Sequence, residues 1–125
     1  MATEGLWTIQ LEGNRYRIDN IPFYARLIAY GDVVSAVKNE AGEIIFDEVI
    51  ERSGHSTVRV FATDESELEA LRLALKEMGC ATEGSNIKRL FALDVPPSVP
   101  YETIKAVLET WELEGRVEYE EGCVY

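Results

Sequence analysis

Apolar and polar residues alternate in short runs over the first half of the chain and fall at helical spacing only in the second. Leu6-Trp7-Thr8-Ile9-Gln10-Leu11 sets Trp7, Ile9 and Leu11 on one face, which predicts a half-buried strand. Glu12-Gly13-Asn14 is a turn, and Tyr16 and Ile18 mark a return strand, so the pair predicts a hairpin. Asp19-Asn20-Ile21-Pro22-Phe23 ends it, because Pro22 has no ladder donor and holds Ile21 extended. A brief apolar run, Leu27-Ile28-Ala29-Tyr30, closes at Gly31-Asp32. Val33 to Val37 and Ile44 to Ile50 then predict two strands joined by the Asn39-Glu40-Ala41-Gly42 turn. No helical period occurs here. Many short strands with clear turn signals predict a small β-barrel or meander over residues 1–52.

From Ser53-Gly54-His55 onward the period changes. Thr57 to Ala62 predicts a strand. Asp64 can cap a helix, with Glu67 completing a capping box, and Leu68, Leu71, Leu75 and Met78 form one helical stripe ended by Gly79. Cys80 to Glu83 is a short strand, Gly84-Ser85 a turn, and Lys88 to Val95 a longer strand. Pro100 opens a second helix with the stripe Ile104, Val107, Leu108 and Trp111, and Gly115 ends it before a last strand, Arg116 to Glu120. The order β-α-β-β-α-β over residues 53–125 predicts a ferredoxin-like unit. Val58 to Ala62 and Leu90 to Leu93 are apolar enough to be its central strands, whereas Ala81 to Glu83 and Glu118 to Glu121 carry the charge expected of edges. The fold class is therefore α+β: a β-rich subdomain packed on a ferredoxin-like subdomain, the two sharing one core.

Strand alternation carries the expectation further. With Val58, Val60 and Ala62 toward the helices, Arg59 and Phe61 face away; with Leu90 and Ala92 toward the helices, Phe91 and Leu93 also face away. That far face is too apolar to lie bare, so the N-terminal strands or a partner should cover it. Phe61 and Phe91 side by side would resemble the stacking platform of RNA-recognition sheets.

Charge alters the functional picture. The 125 residues carry a net −11, divided as −3 over residues 1–62 and −8 over residues 63–125. Phosphate neutralisation by Lys and Arg is what nucleic-acid binding requires, so nucleic acid is not an expected partner. A basic protein is. Glu109, Glu112, Glu118 and Glu120, with Tyr119, Trp111 and Tyr125 as aromatic anchors, are the candidate docking surface; a solvated helix face beside a protected edge strand is the plainer reading of the same residues. Neither an apolar run of membrane-spanning length nor a signal-peptide pattern occurs, so the expected location is cytoplasmic. Two distant cysteines and one histidine give no metal-ligand spacing, and no calcium loop or glycine-rich phosphate cradle is present; neither metal nor cofactor is expected.

The lone histidine, His55, lies in a polar turn with Ser53 and Ser56. It could act as a general base or orient a ligand, with Ser53 as a second catalytic candidate and Asp32 or Arg59 as orienting or anion-binding groups. A triad would also need an acid on the ring, for which Asp19, Asp32 and Asp47 are the candidates. The plainer alternative is a turn whose hydroxyls bond the local backbone.

Leu6-Trp7, Asp19-Asn20-Ile21-Pro22-Phe23, Tyr30-Gly31-Asp32-Val33-Val34, Ser53-Gly54-His55-Ser56-Thr57-Val58-Arg59-Val60, Gly79-Cys80 with Glu83, and Asp94-Val95-Pro96 together resemble the bacterial family catalogued as domain of unknown function 4265. The resemblance spans nearly the whole chain in the same order. It implies a bacterial, stand-alone protein of one unit and brings no catalytic residues with it. Two functions follow as expectations. One is a non-enzymatic acidic binding module, a monomer or homodimer of the immunity or antitoxin kind, occluding a basic toxin. The other is an enzyme or small-ligand protein that uses His55.

Overall fold

The computed structural model describes residues 7–22, 28–42 and 44–124. Leu6, Phe23, Leu27 and Tyr125 lie outside these residues. Four strands form the first sheet in chain order: β1 (Thr8–Gln10), β2 (Arg15–Ile18), β3 (Val33–Lys38) and β4 (Ile44–Glu51), each antiparallel to the next. With β1 and β4 at its two edges this sheet is an open meander, not a closed barrel. Its apolar cluster is Tyr16, Ile18, Ile28, Val34 and Ala36, with Val49 against it.

β1 departs from the expected half-buried strand. Trp7 is 77% exposed and Ile9 45% exposed. Thr8 and Gln10 register with the buried Ile18 and Tyr16, so the polar side of β1 shares the cluster's side of the sheet and the apolar side faces outward, with all three residues of the strand exposed. A short edge strand has only one neighbour to set its phase, and register here overrides composition.

The second half contains β5 (Ser56–Ala62), α1 (Leu68–Glu77), β6 (Ala81–Gly84), β7 (Leu90–Val95), α2 (Tyr101–Leu113) and β8 (Val117–Cys123). Its strands run in the order β6-β7-β5-β8, every pair antiparallel, so β5 and β7 are central and the charged strands are edges. Both helices bury the predicted stripes: Leu71, Leu75, Ile104 and Leu108 are fully buried, and Trp111 nearly so. Each such leucine or isoleucine stabilises the fold by about 1.5–3 kcal/mol.

β7 has the opposite phase to the one expected. Val58 stands opposite Leu93 and Val60 opposite Phe91, so Phe91, Leu93 and Val95 join β5 under the helices. Phe91 and Leu93 carry far more apolar surface than Leu90 and Ala92, and burial of the larger set decides the face. Phe61 and Phe91 therefore point to opposite sides of the sheet, and the two form no paired aromatic platform.

The capping box is also replaced. Asp64 Oδ1 accepts from the Ser66 amide at 2.9 Å over a 3-10 turn, Glu65–Glu67, that precedes α1. Glu67 instead accepts from Arg116 Nε and Nη2, both at 3.1 Å, tying the start of the helix to the entrance of β8.

Cys80, buried against the helices, gives a direct expectation. Burial, with Asp94 adding repulsion, pushes its thiol up to about 11 from an ordinary 9.0. The group should stay protonated and resist alkylation until the chain unfolds. Stability from its neutral form is complete below 9.0 and is lost as pH rises through about 11. Titration of the rate of thiol labelling against denaturant should show Cys80 reacting only with global unfolding.

Candidate functional site

The polar turn expected around Ser53 is built from both halves of the chain. Asp32 is fully buried at its centre. Its Oδ2 accepts from the Ala29 amide at 2.9 Å and its Oδ1 from the Ser53 amide at 2.8 Å, while Arg52 Nη1 lies 3.4 Å from Oδ2. Ser53 Oγ donates to the Tyr30 carbonyl at 2.6 Å and accepts from the His55 amide at 3.2 Å. Gly31 and Gly54 have φ of +82° and +84°, and a Cβ on Gly31 would come within 3.1 Å of Ser53 Cβ. Only glycine adopts this backbone without strain and admits so close an approach.

The turn delivers His55 onto Asp94 of β7. His55 Nδ1 lies 2.9 Å and 3.0 Å from the two carboxylate oxygens, and the Tyr30 ring sits against the imidazole at 5.3 Å between centroids. The His55 and Asp94 side chains are 20% and 7% exposed respectively. A neutral imidazole in this geometry donates Nδ1–H to Asp94, a tautomer assigned from the hydrogen bond, and presents Nε2 as an acceptor. Nε2 makes no hydrogen bond to a described residue. Burial pushes the Asp94 carboxyl above its ordinary value, and the His55 hydrogen bond and charge work against that shift. Chemically, the pair is an oriented base with a fixed tautomer.

Ser53 is thus brought near His55 through the backbone, and its hydroxyl is committed to the turn. Asp32 positions the turn but makes no hydrogen bond to the ring. Arg59 lies on the side of the second sheet away from the helices, 2.7 Å from Glu120 Oε1. With Phe61, Leu90 and Glu118 this pair lines an open depression of about 350 Å³. Glu109 and Glu112 project from α2 near Tyr119, whose hydroxyl is raised by burial and by those carboxylates. Strand alternation puts Tyr119 on the helix side and Glu118 and Glu120 on the other, so the expected acidic set divides between two faces. Among the described residues no three His, Cys, Asp or Glu side chains gather to hold a metal ion. None of the described helices is long and apolar enough to cross a membrane.

Asp94 and Tyr30 were not among the residues singled out for the ring. A signal for Asp94 does exist: it is the one carboxylate in Leu90-Phe91-Ala92-Leu93-Asp94-Val95, an otherwise apolar central strand. A charge buried there needs a partner.

The family described as Domain of unknown function (DUF4265) matches this chain over residues 4–119. The chain belongs to this family. His55 and Asp94 both fall within the matched span of the DUF4265 chain. A hypothetical protein from Neisseria gonorrhoeae, known from a crystal structure, superposes with a TM-score of 0.82 at 22% identity, over 95% of this DUF4265 chain and 82% of the other. Likeness at that identity establishes a common fold. No curated protein matches the DUF4265 chain.

Proposed function

We propose that the His55–Asp94 pair is the functional centre of this protein, a general base or hydrogen-bonding group acting on a small polar ligand. One observation carries the reading. A carboxylate sits in a buried apolar strand where it costs stability, and both of its oxygens are used to fix one face of the only imidazole. The opposite nitrogen is left to accept a proton or a hydrogen bond. Ser53 is engaged with Tyr30, so water or the ligand itself supplies the group that His55 would deprotonate.

Diethyl pyrocarbonate tests this, because it carbethoxylates unprotonated imidazole nitrogen and the chain offers one imidazole. Wild-type protein should react stoichiometrically at His55 while folded, and Asp94→Asn should react several-fold more slowly at neutral pH. Reaction only on unfolding would return His55 to a structural role.

Acidic docking of a basic protein, of the immunity or antitoxin kind, is the second reading. Leu113, 90% exposed between Glu112 and Glu114 at the end of α2, favours it as an apolar anchor inside an acidic surface. Association that weakens steeply with salt and with Glu109→Lys/Glu112→Lys would support it. We also infer that the second half is ferredoxin-like; its antiparallel order β6-β7-β5-β8 supports this.

A further inference from the structure

The two edges of the second sheet differ in how they meet their surroundings. β6 ends the sheet on one side and β8 on the other, and no described strand lies beyond either. β8 is defended as exposed edges usually are: Glu118, Glu120 and Glu121 charge it, and a register shift at Thr57/Val58 interrupts its pairing with β5. β6 has neither device. Its register with β7 is unbroken, and its one charge, Glu83, lies opposite Ala92 on the face away from the helices. On the helix side of that edge, α1 and β6 enclose an open groove of about 410 Å³. Glu69, Arg72, Leu73 and Lys76 wall it from α1, at the spacing of a single helix face, and Ala81 and Thr82 wall it from the strand. Leu73 is 55% exposed. Arg72 is held in place: its Nε donates to Thr82 Oγ1 at 2.9 Å, and its Nη1 lies 3.6 Å from Glu69 Oε1. The Lys76 ammonium makes no ion pair or hydrogen bond to a described residue. Arg72 and Glu69 offset each other, so Lys76 leaves the groove cationic in a chain of net −11.

We propose that this groove binds an extended acidic peptide of a partner protein, which adds to β6 as a fifth strand. The site is independent of both functional readings above, and Asp94 lies on the other face of the sheet. The free main-chain groups of an edge strand select an extended backbone, and the adjoining groove selects alternate side chains. Those side chains of an added strand that stand level with Thr82 project to the helix side and enter the groove. The chain turns from α1 through Gly79 into β6, so Lys76 stands by the start of the strand and Arg72 beside Thr82. A peptide running antiparallel to β6 therefore places a carboxylate at Lys76 and, two residues earlier, an apolar side chain at Leu73. Residues so spaced are about 6.8 Å apart along a strand, a separation the long lysine side chain accommodates. A basic peptide would set its charge against Lys76 and is refused.

Amide NMR of the full chain tests this with two blocked pentapeptides, acetyl-Thr-Leu-Thr-Glu-Thr-amide and its counterpart with Lys in place of Glu. The glutamate peptide should bind saturably, shift the amides of Ala81–Gly84 and slow the exchange of those that point away from β7. The lysine peptide should bind about tenfold more weakly. Lys76 is exposed at the end of α1, so Lys76→Glu leaves the fold intact and should reverse the preference between the peptides. Slowed exchange in β6 separates strand addition from simple charge attraction, which would move Lys76 signals alone. The proposal is overturned by no binding of the glutamate peptide, by binding without slowed exchange in β6, by equal affinity for the two peptides, or by a preference that Lys76→Glu does not change. Protection of the β6 amides that grows with protein concentration in the free chain would also overturn it, because a second copy would then hold the edge.

Discussion

Replacing Asp32 by alanine should cost about 3–5 kcal/mol of unfolding free energy, the largest loss expected from a single polar substitution here. The carboxylate is fully buried and accepts the amides of Ala29 and Ser53 from two separate segments. Removing it leaves two backbone donors without acceptors and deprives Arg52 of an anionic neighbour. Asp32→Asn should recover only part of the loss, because one of its two former acceptor positions becomes a donor facing an amide. Denaturant melts of the two variants measure this. A loss under 1 kcal/mol for alanine would mean that water replaces the carboxylate and that the turn is not organised by it.

Replacing Asp94 by asparagine should act in the opposite direction on stability. The folded-state carboxyl is raised above 3.8, chiefly by burial. Its protonated form therefore favours the fold; that contribution is complete below 3.8 and is lost as pH rises through the higher folded value. Asparagine does not titrate and can still accept from His55 Nδ1. The melting temperature of Asp94→Asn relative to wild type should thus become more favourable as pH rises from the acid range toward neutrality, even as the reactivity of His55 falls. Stability surrendered for an oriented imidazole is the pattern of a functional group. Should the variant become progressively less stable than wild type over that range, the pair would be a net stabilising ion pair and its role structural.

Long periodic segments were readable from residues alone. The stripes Leu71–Leu75 and Ile104–Leu108–Trp111, the central placement of β5 and β7 and the charged edges all follow from spacing and composition. Phase was harder. β7 is apolar on both faces, so alternation alone could not tell Phe91 and Leu93 from Leu90 and Ala92; the register with Val58 and Val60 does. β1 failed for a related reason, since three residues at an edge follow their neighbour. The site divides in the same manner. Ser53-Gly54-His55 is visible as a polar turn, and the ring's acid is not, because Asp94 lies 39 residues away and comes near only through the pairing of β5 with β7. Asp32, one of the carboxylates considered for the ring, serves the backbone of the turn instead.

The most direct test of the central claim is the tautomer of the single imidazole, read from long-range nitrogen–proton NMR of the folded chain at a pH where the ring is neutral. An oriented base held by Asp94 should show Nδ1 protonated and Nε2 bare, and Asp94→Ala should move the ring toward the Nε2–H form that free histidine favours. A wild-type imidazole already in the Nε2–H form, or indifferent to Asp94→Ala, would contradict the account.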